Sequence, residues 1–120
     1  MGLQGVRVLI IEDDSLVAMS VGDMLSDLGC SVIGSAGSLT QAFEMVDAGG
    51  FDFALLDVNL RGQEVFPVAE VLTQQGIPFA FASGYGRAGL PDEFRTRPIV
   101  SKPFQMTELS TVLSSALGQA

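Results

Sequence analysis

The sequence predicts an α/β domain: a single open parallel sheet of five strands with helices on both faces, a doubly wound (βα)5 arrangement. Short apolar runs, suited to strands covered on both sides, alternate five times with segments of helical periodicity. Each unit is about the size of a minimal βα pair, and such alternation builds parallel sheets. The polar residues add a further sign. Glu12-Asp13 follows the first run, Asp57 ends the third, Ser83 the fourth and Lys102 the fifth. In a parallel sheet these ends share one rim, where open α/β sheets bind ligands.

Val6 to Ile11 is the first strand. A helix follows in which Val17, Val21, Met24, Leu25 and Leu28 recur at helical spacing, with Asp14 as its cap and Gly29 as its stop. Residues 31–35 form a short second strand. Ser38-Leu39-Thr40-Gln41 reads as a capping box opening a helix whose inner face is Leu39, Ala42, Phe43 and Val46. The third strand is 52–56, and its apolar run stops at Asp57. Arg61-Gly62-Gln63 makes a loop before a helix faced by Val65, Val68, Ala69 and Leu72, with Pro67 tolerable only near the first turn. Residues 78–82 are the fourth strand. Gly86, Gly89 and Pro91 leave room only for a short or irregular fourth helix between Arg87 and Arg97. Ile99-Val100 is the fifth strand, and the final helix carries Leu109, Val112, Leu113 and Ala116 on one face.

The length of 120 residues suits one domain over 1–120. Hydrophobic residues make up 48% and the mean hydropathy is +0.41, which argues against disorder. No apolar stretch approaches the ~20 residues of a membrane span, and the N-terminus lacks a signal-peptide pattern. The lone Cys30 forms no internal disulfide and packs as a small hydrophobe. A soluble, cytoplasmic protein with no membrane association is expected. The net charge of −8, from 14 acidic and 6 basic residues, argues against direct nucleic-acid binding. It agrees with carboxylates gathered around a divalent cation, and equally with ordinary solubility.

Each rim residue has a plain structural reading: acidic helix caps, a turn serine, a solvated lysine, and Asp57 capping the segment that follows. Their joint placement suggests more. Crowded carboxylates repel one another unless a cation intervenes, and hard oxygen ligands with open positions suit Mg²⁺ shared with phosphate. An ammonium and a hydroxyl complete a phosphoryl-binding set, and an Asp can itself be the nucleophile.

With the acidic pair Glu12-Asp13, Asp57 in Leu-Leu-Asp-Val-Asn, Ser83 in Phe-Ala-Ser-Gly-Tyr, and Lys102-Pro103, the chain resembles the receiver domain of two-component response regulators over essentially its whole length. The resemblance implies a flavodoxin-like strand order, 2-1-3-4-5. It implies Mg²⁺ held by Asp13, Asp57 and the Asn59 backbone carbonyl, with Glu12 acting mainly through water. Asp57 would accept phosphate from a histidine kinase or phosphotransfer protein, Lys102 would pair with the phosphoryl group, and Ser83 would hydrogen-bond it. The Lys-Pro bond would be cis. Phosphorylation would switch contacts with a downstream protein partner, or the domain would act as a phosphate shuttle or sink. It would promote its own phosphorylation and dephosphorylation without being a conventional enzyme.

Many receivers carry an aromatic switch residue three positions before the Lys; here it is Ile99. Phe81-Ala82-Ser83-Gly84-Tyr85 resembles instead the Phe-Ala-Thr-Gly-Tyr (FAT GUY) subgroup, whose members lack that aromatic. Tyr85 either shares in signalling, gating the phosphate, or rests on the surface loop.

Three other readings are weaker. An Asp-nucleophile phosphatase needs a second carboxylate where Asn59 stands. A flavodoxin-like flavin binder needs a phosphate loop where Glu12-Asp13-Asp14 would repel the anion. A docking-only receiver would not need the complete acidic pair, Asp57, Ser83 and Lys102. No DNA-binding segment is visible after the last helix.

Overall fold

The apolar runs 8–11, 53–56 and 79–82 become strands buried on both sides, whereas residues 31–36, at the sheet's edge, alternate exposed and half-buried positions up to the buried Ala36. The computed structural model describes residues 3–118. In chain order its elements are β1 (Arg7–Ile11), α1 (Ser15–Asp27), β2 (Ser31–Ala36), α2 (Leu39–Ala48), β3 (Phe53–Asp57), β4 (Asn59–Leu60), β5 (Gln63–Glu64), α3 (Phe66–Gln75), β6 (Phe79–Ser83), β7 (Ile99–Ser101) and α4 (Met106–Ala116). Five of the strands form one parallel sheet in the order β2-β1-β3-β6-β7, which is the expected 2-1-3-4-5 counted along the sheet. Ile11 lies opposite Leu56, Asp57 opposite Ala82, and Ser83 opposite Ser101, so the polar strand ends fall along one rim.

Caps and stops act much as their residues dictate. Asp14 Oδ1 accepts the Leu16 and Val17 N–H groups at 2.9 and 3.3 Å, which starts α1. Ala18, Val21 and Leu25 point into the core, with Met24 and Leu28 at its margin. Ser38 Oγ accepts the Gln41 N–H at 3.2 Å, but Gln41 Oε1 returns to Gly37 N–H rather than to Ser38, a capping box displaced by one residue. Pro67 sits in the first turn of α3, where its missing N–H costs nothing. In α4, Leu109 and Leu113 are buried, with Val112 and Ala116 packed beside them.

Two expectations change. Phe43, assigned to the inner face of α2, is 38% exposed. The helix is rolled so that Met45 joins Ala42 and Val46 against the core, an approach that Gly34 permits: a Cβ there would stand 2.6 Å from Met45 Cε. Arg61-Gly62-Gln63, read as a loop, lies within a small antiparallel hairpin, β4–β5, over residues 59–64. Arg61 and Gly62 at its tip have φ of 51° and 82°, the left-handed pair that a two-residue hairpin turn requires. Between β6 and β7 the fourth helix is short and irregular, as expected, reduced to two 3₁₀ turns, Gly86–Gly89 and Asp92–Phe94. Among the described residues, no helix is long and apolar enough to cross a membrane.

Candidate functional site

At the carboxyl rim, Glu12 follows β1 directly and is only 6% exposed, fixed by its N–H to the Ala36 carbonyl at 2.8 Å. Its Oε2 accepts the Asp14 N–H at 3.1 Å and its Oε1 meets Lys102 Nζ at 2.8 Å. Burial, and to a lesser extent the nearby Asp57 charge, push the Glu12 carboxyl up to about 7, although Lys102 and the Asp14 N–H pull the other way. Asp13, one residue on, is half-buried and accepts the Arg61 main-chain N–H at 2.9 Å. Burial would raise its pKa, but the Arg61 and Glu12 hydrogen bonds outweigh that, and it is lowered.

Asp57 closes β3 with its side chain 13% exposed and Oδ2 3.3 Å from Lys102 Nζ. Its Oδ1 lies 3.4 Å from the Asn59 N–H. Lys102 follows β7, its N–H donating to the Ser83 carbonyl at 3.0 Å, and the Lys102–Pro103 peptide is cis. Burial works against its ammonium, but the Glu12 hydrogen bond and the Asp57 charge prevail and the pKa is raised. Lys102 therefore stands as a fixed cation between two carboxylates.

One carboxylate oxygen from each of Glu12, Asp13 and Asp57 lies within 4.8 Å of the others, so this cluster could bind a metal. Beside it an open depression of about 530 Å³ is lined by Asp57, Asn59, Ser83, Tyr85 and Lys102, together with Glu64. Ser83 is buried and its Oγ accepts the Tyr85 N–H at 3.0 Å. The Tyr85 ring itself is 88% exposed. Ile99 is half-buried and packs against the core beneath the rim, away from the depression's lining. Asn59 spends its Oδ1 on the Gly62 N–H at 2.8 Å.

The fold thus brings Glu12, Asp13, Asp57, Asn59, Ser83, Tyr85 and Lys102 to one place and leaves Ile99 behind them. Sequence reasoning missed Arg61, which acts through its backbone, and Glu64, which reaches the depression only because the hairpin folds back. The Arg-Gly pair between short apolar stretches was the available signal.

A central parallel sheet with an acid cluster, a half-buried lysine and an Asp at the end of the middle strand defines a class. The chain belongs to the response regulator receiver domain family, whose profile matches residues 8–114. Among solved structures it is similar to SdrG from Sphingomonas melonis Fr1, with 39% identity, a TM-score of 0.86, and coverage of 98% of this chain and 99% of that one. Among curated proteins it is similar to the phyllosphere-induced regulator PhyR of Methylorubrum extorquens, 32% identical over 116 residues, covering 92% of this chain and 43% of PhyR. It also resembles the transcriptional regulatory protein PdtaR of Mycobacterium tuberculosis, 25% identical over 117 residues, covering 94% of this chain and 57% of PdtaR. The chain spans about half the length of these curated relatives.

Proposed function

We propose that residues 1–120 form one phosphoacceptor receiver domain in which Asp57 takes a phosphoryl group from a histidine kinase or phosphotransfer protein. The observation that carries this reading is the ammonium of Lys102 held 3.3 Å from Asp57 Oδ2 at the edge of an open depression. An Asp57 oxygen attacks phosphorus as the bond to the donor's nitrogen breaks. Lys102 pairs with the transferred group, and the Ser83 hydroxyl turns from the Tyr85 N–H to donate to it.

The donor set is all hard oxygen, which fits Mg²⁺. Asp13, Asp57 and the Asn59 carbonyl would hold it directly, and bound there it would neutralise charge developing on the phosphoryl oxygens. Both Glu12 oxygens already have partners in Lys102 and the Asp14 N–H, which supports a role through water. The Phe81-Ala82-Ser83-Gly84-Tyr85 segment and the lack of an aromatic at Ile99 support the FAT GUY subgroup, with Tyr85 at the mouth of the depression and Ser83 as switch residues. Output runs through contacts with a downstream protein in the cytoplasm, as a regulator rather than a conventional enzyme, without direct nucleic-acid or membrane binding.

Incubated with Mg²⁺ and a small phosphodonor, the protein gains the mass of one phosphoryl group, and Asp57→Asn abolishes the gain. A modification that persists in Asp57→Asn removes Asp57 as the acceptor. Millimolar Mg²⁺ also raises the melting temperature, because the native state alone gathers these carboxylates. An unchanged melting curve counts against the metal site.

A further inference from the structure

We propose that Glu64 is a catalytic residue for hydrolysis of the phosphorylated domain, the base that receives a proton from the attacking water and so sets how long the phosphoryl group survives. The inference rests on the phosphoacceptor reading. Water must reach phosphorus in line with, and opposite to, the bond to Asp57, which means entering through the open depression. Four titratable side chains line that depression: Asp57, Glu64, Tyr85 and Lys102. Asp57 carries the phosphoryl group. Lys102 is an ammonium already paired with Glu12 and Asp57, with no lone pair to offer. Tyr85 offers a phenol hydroxyl, a donor as much as an acceptor, on a ring that stands in solvent. Glu64 is the remaining carboxylate, and it makes no ion pair among the described residues.

The backbone fixes where Glu64 stands. It pairs with Asn59 across the β4–β5 hairpin, so the two share one face of that ribbon. The hairpin is tied at its tip by the Arg61 N–H on Asp13 and the Gly62 N–H on Asn59. At its other end the fully buried Val65 donates its N–H to the Val58 carbonyl at 2.9 Å. Glu64 is thus the last residue of a ribbon anchored on both sides, and not the tip of a loose loop. In the step, the water oxygen bonds phosphorus while the phosphorus–oxygen bond to Asp57 breaks. Asp57 leaves as the carboxylate, orthophosphate is released, and the proton lost by water passes to Glu64 and on to solvent.

The test is to phosphorylate the whole chain with phosphoramidate and Mg²⁺, remove the donor, and follow loss of the phosphoryl mass. Glu64→Gln still becomes phosphorylated but loses the group about tenfold more slowly, less than a fully preorganised base gives because Glu64 is exposed. The slowing of wild-type hydrolysis in D₂O shrinks in Glu64→Gln, a change that a merely structural defect would not produce. Gln63→Ala, on the opposite face of the ribbon, decays as wild type does. The inference is overturned if Glu64→Gln decays within about twofold of wild type, or if Gln63→Ala slows as much. If wild type itself gains no phosphoryl mass, the acceptor reading falls and takes this one with it.

Discussion

The two faces of the sheet are covered by different means. On one, α1 and α4 lay aliphatic side chains such as Val21, Leu25, Leu109 and Leu113 against Val8, Ile10, Phe53 and Leu55. On the other, α2 and α3 leave a third position where the chain runs from Gly84 to Pro98 without an α-helix. Aromatic rings take that helix's place. Phe94 stacks on Phe66 at 5.8 Å and meets Phe81 edge-on at 5.5 Å, while Phe79 and Phe81 pack edge-to-face at 5.4 Å. Arg87 spans the segment from outside, donating to the Arg95 and Arg97 carbonyls. A segment broken by glycine and proline can be held by one buried ring and a few hydrogen bonds, because an aromatic side chain brings as much buried area as several smaller ones.

Phe94→Ala is the strongest way to break this contrast. It removes about 3–5 kcal/mol of stability, and amide exchange should accelerate most between residues 84 and 98. Exchange that rises evenly along the chain would mean that this face is no more locally held than the other. Leu25→Ala, on the helical face, costs about 3 kcal/mol but lowers denaturant resistance without singling out a segment. Calorimetry paired with exchange separates the two. Arg87→Ala removes two charge-assisted bonds from an exposed residue, so about 1 kcal/mol is expected, again localised to 84–98. A loss spread through α1 would contradict the strap.

The rim between the faces gives the gentlest test. The Glu12 carboxyl has an ordinary value of 4.5 and is held at about 7 in the fold, chiefly by burial. Below 4.5 both folded and unfolded chains keep the proton. As pH rises, the unfolded chain releases it first, so the metal-free protein loses this contribution steadily until about pH 7. Chemical denaturation across that window in Glu12→Gln should show a flatter profile. An identical slope in both proteins would place the titration elsewhere.

The site was legible where chemistry follows a strand. Asp57 ends an apolar run, Glu12-Asp13 ends another, and Asp14 as the α1 cap could be named from its place before a helical pattern. The absence of a regular fourth helix was readable in Gly86, Gly89 and Pro91. Other features had no local signal. Phe43 fits the apolar stripe of α2 as well as Met45 does, and only the contact with Gly34 selects between them. Phe94 lies in a stretch without periodicity, so nothing nearby announces that it seals a face.

The sequence by itself determined the alternation of strands and helices and the identity of the rim residues, because burial periodicity and caps act within a few residues. Tertiary structure decided who faces whom. Lys102 and Glu12 are 90 positions apart, yet the parallel register sets them 2.8 Å from each other. The folded hairpin turns the Arg61 N–H toward Asp13 and Glu64 toward the depression. Charge pairing depends on distance in space, and a linear pattern fixes that distance only once the sheet has brought its edges together.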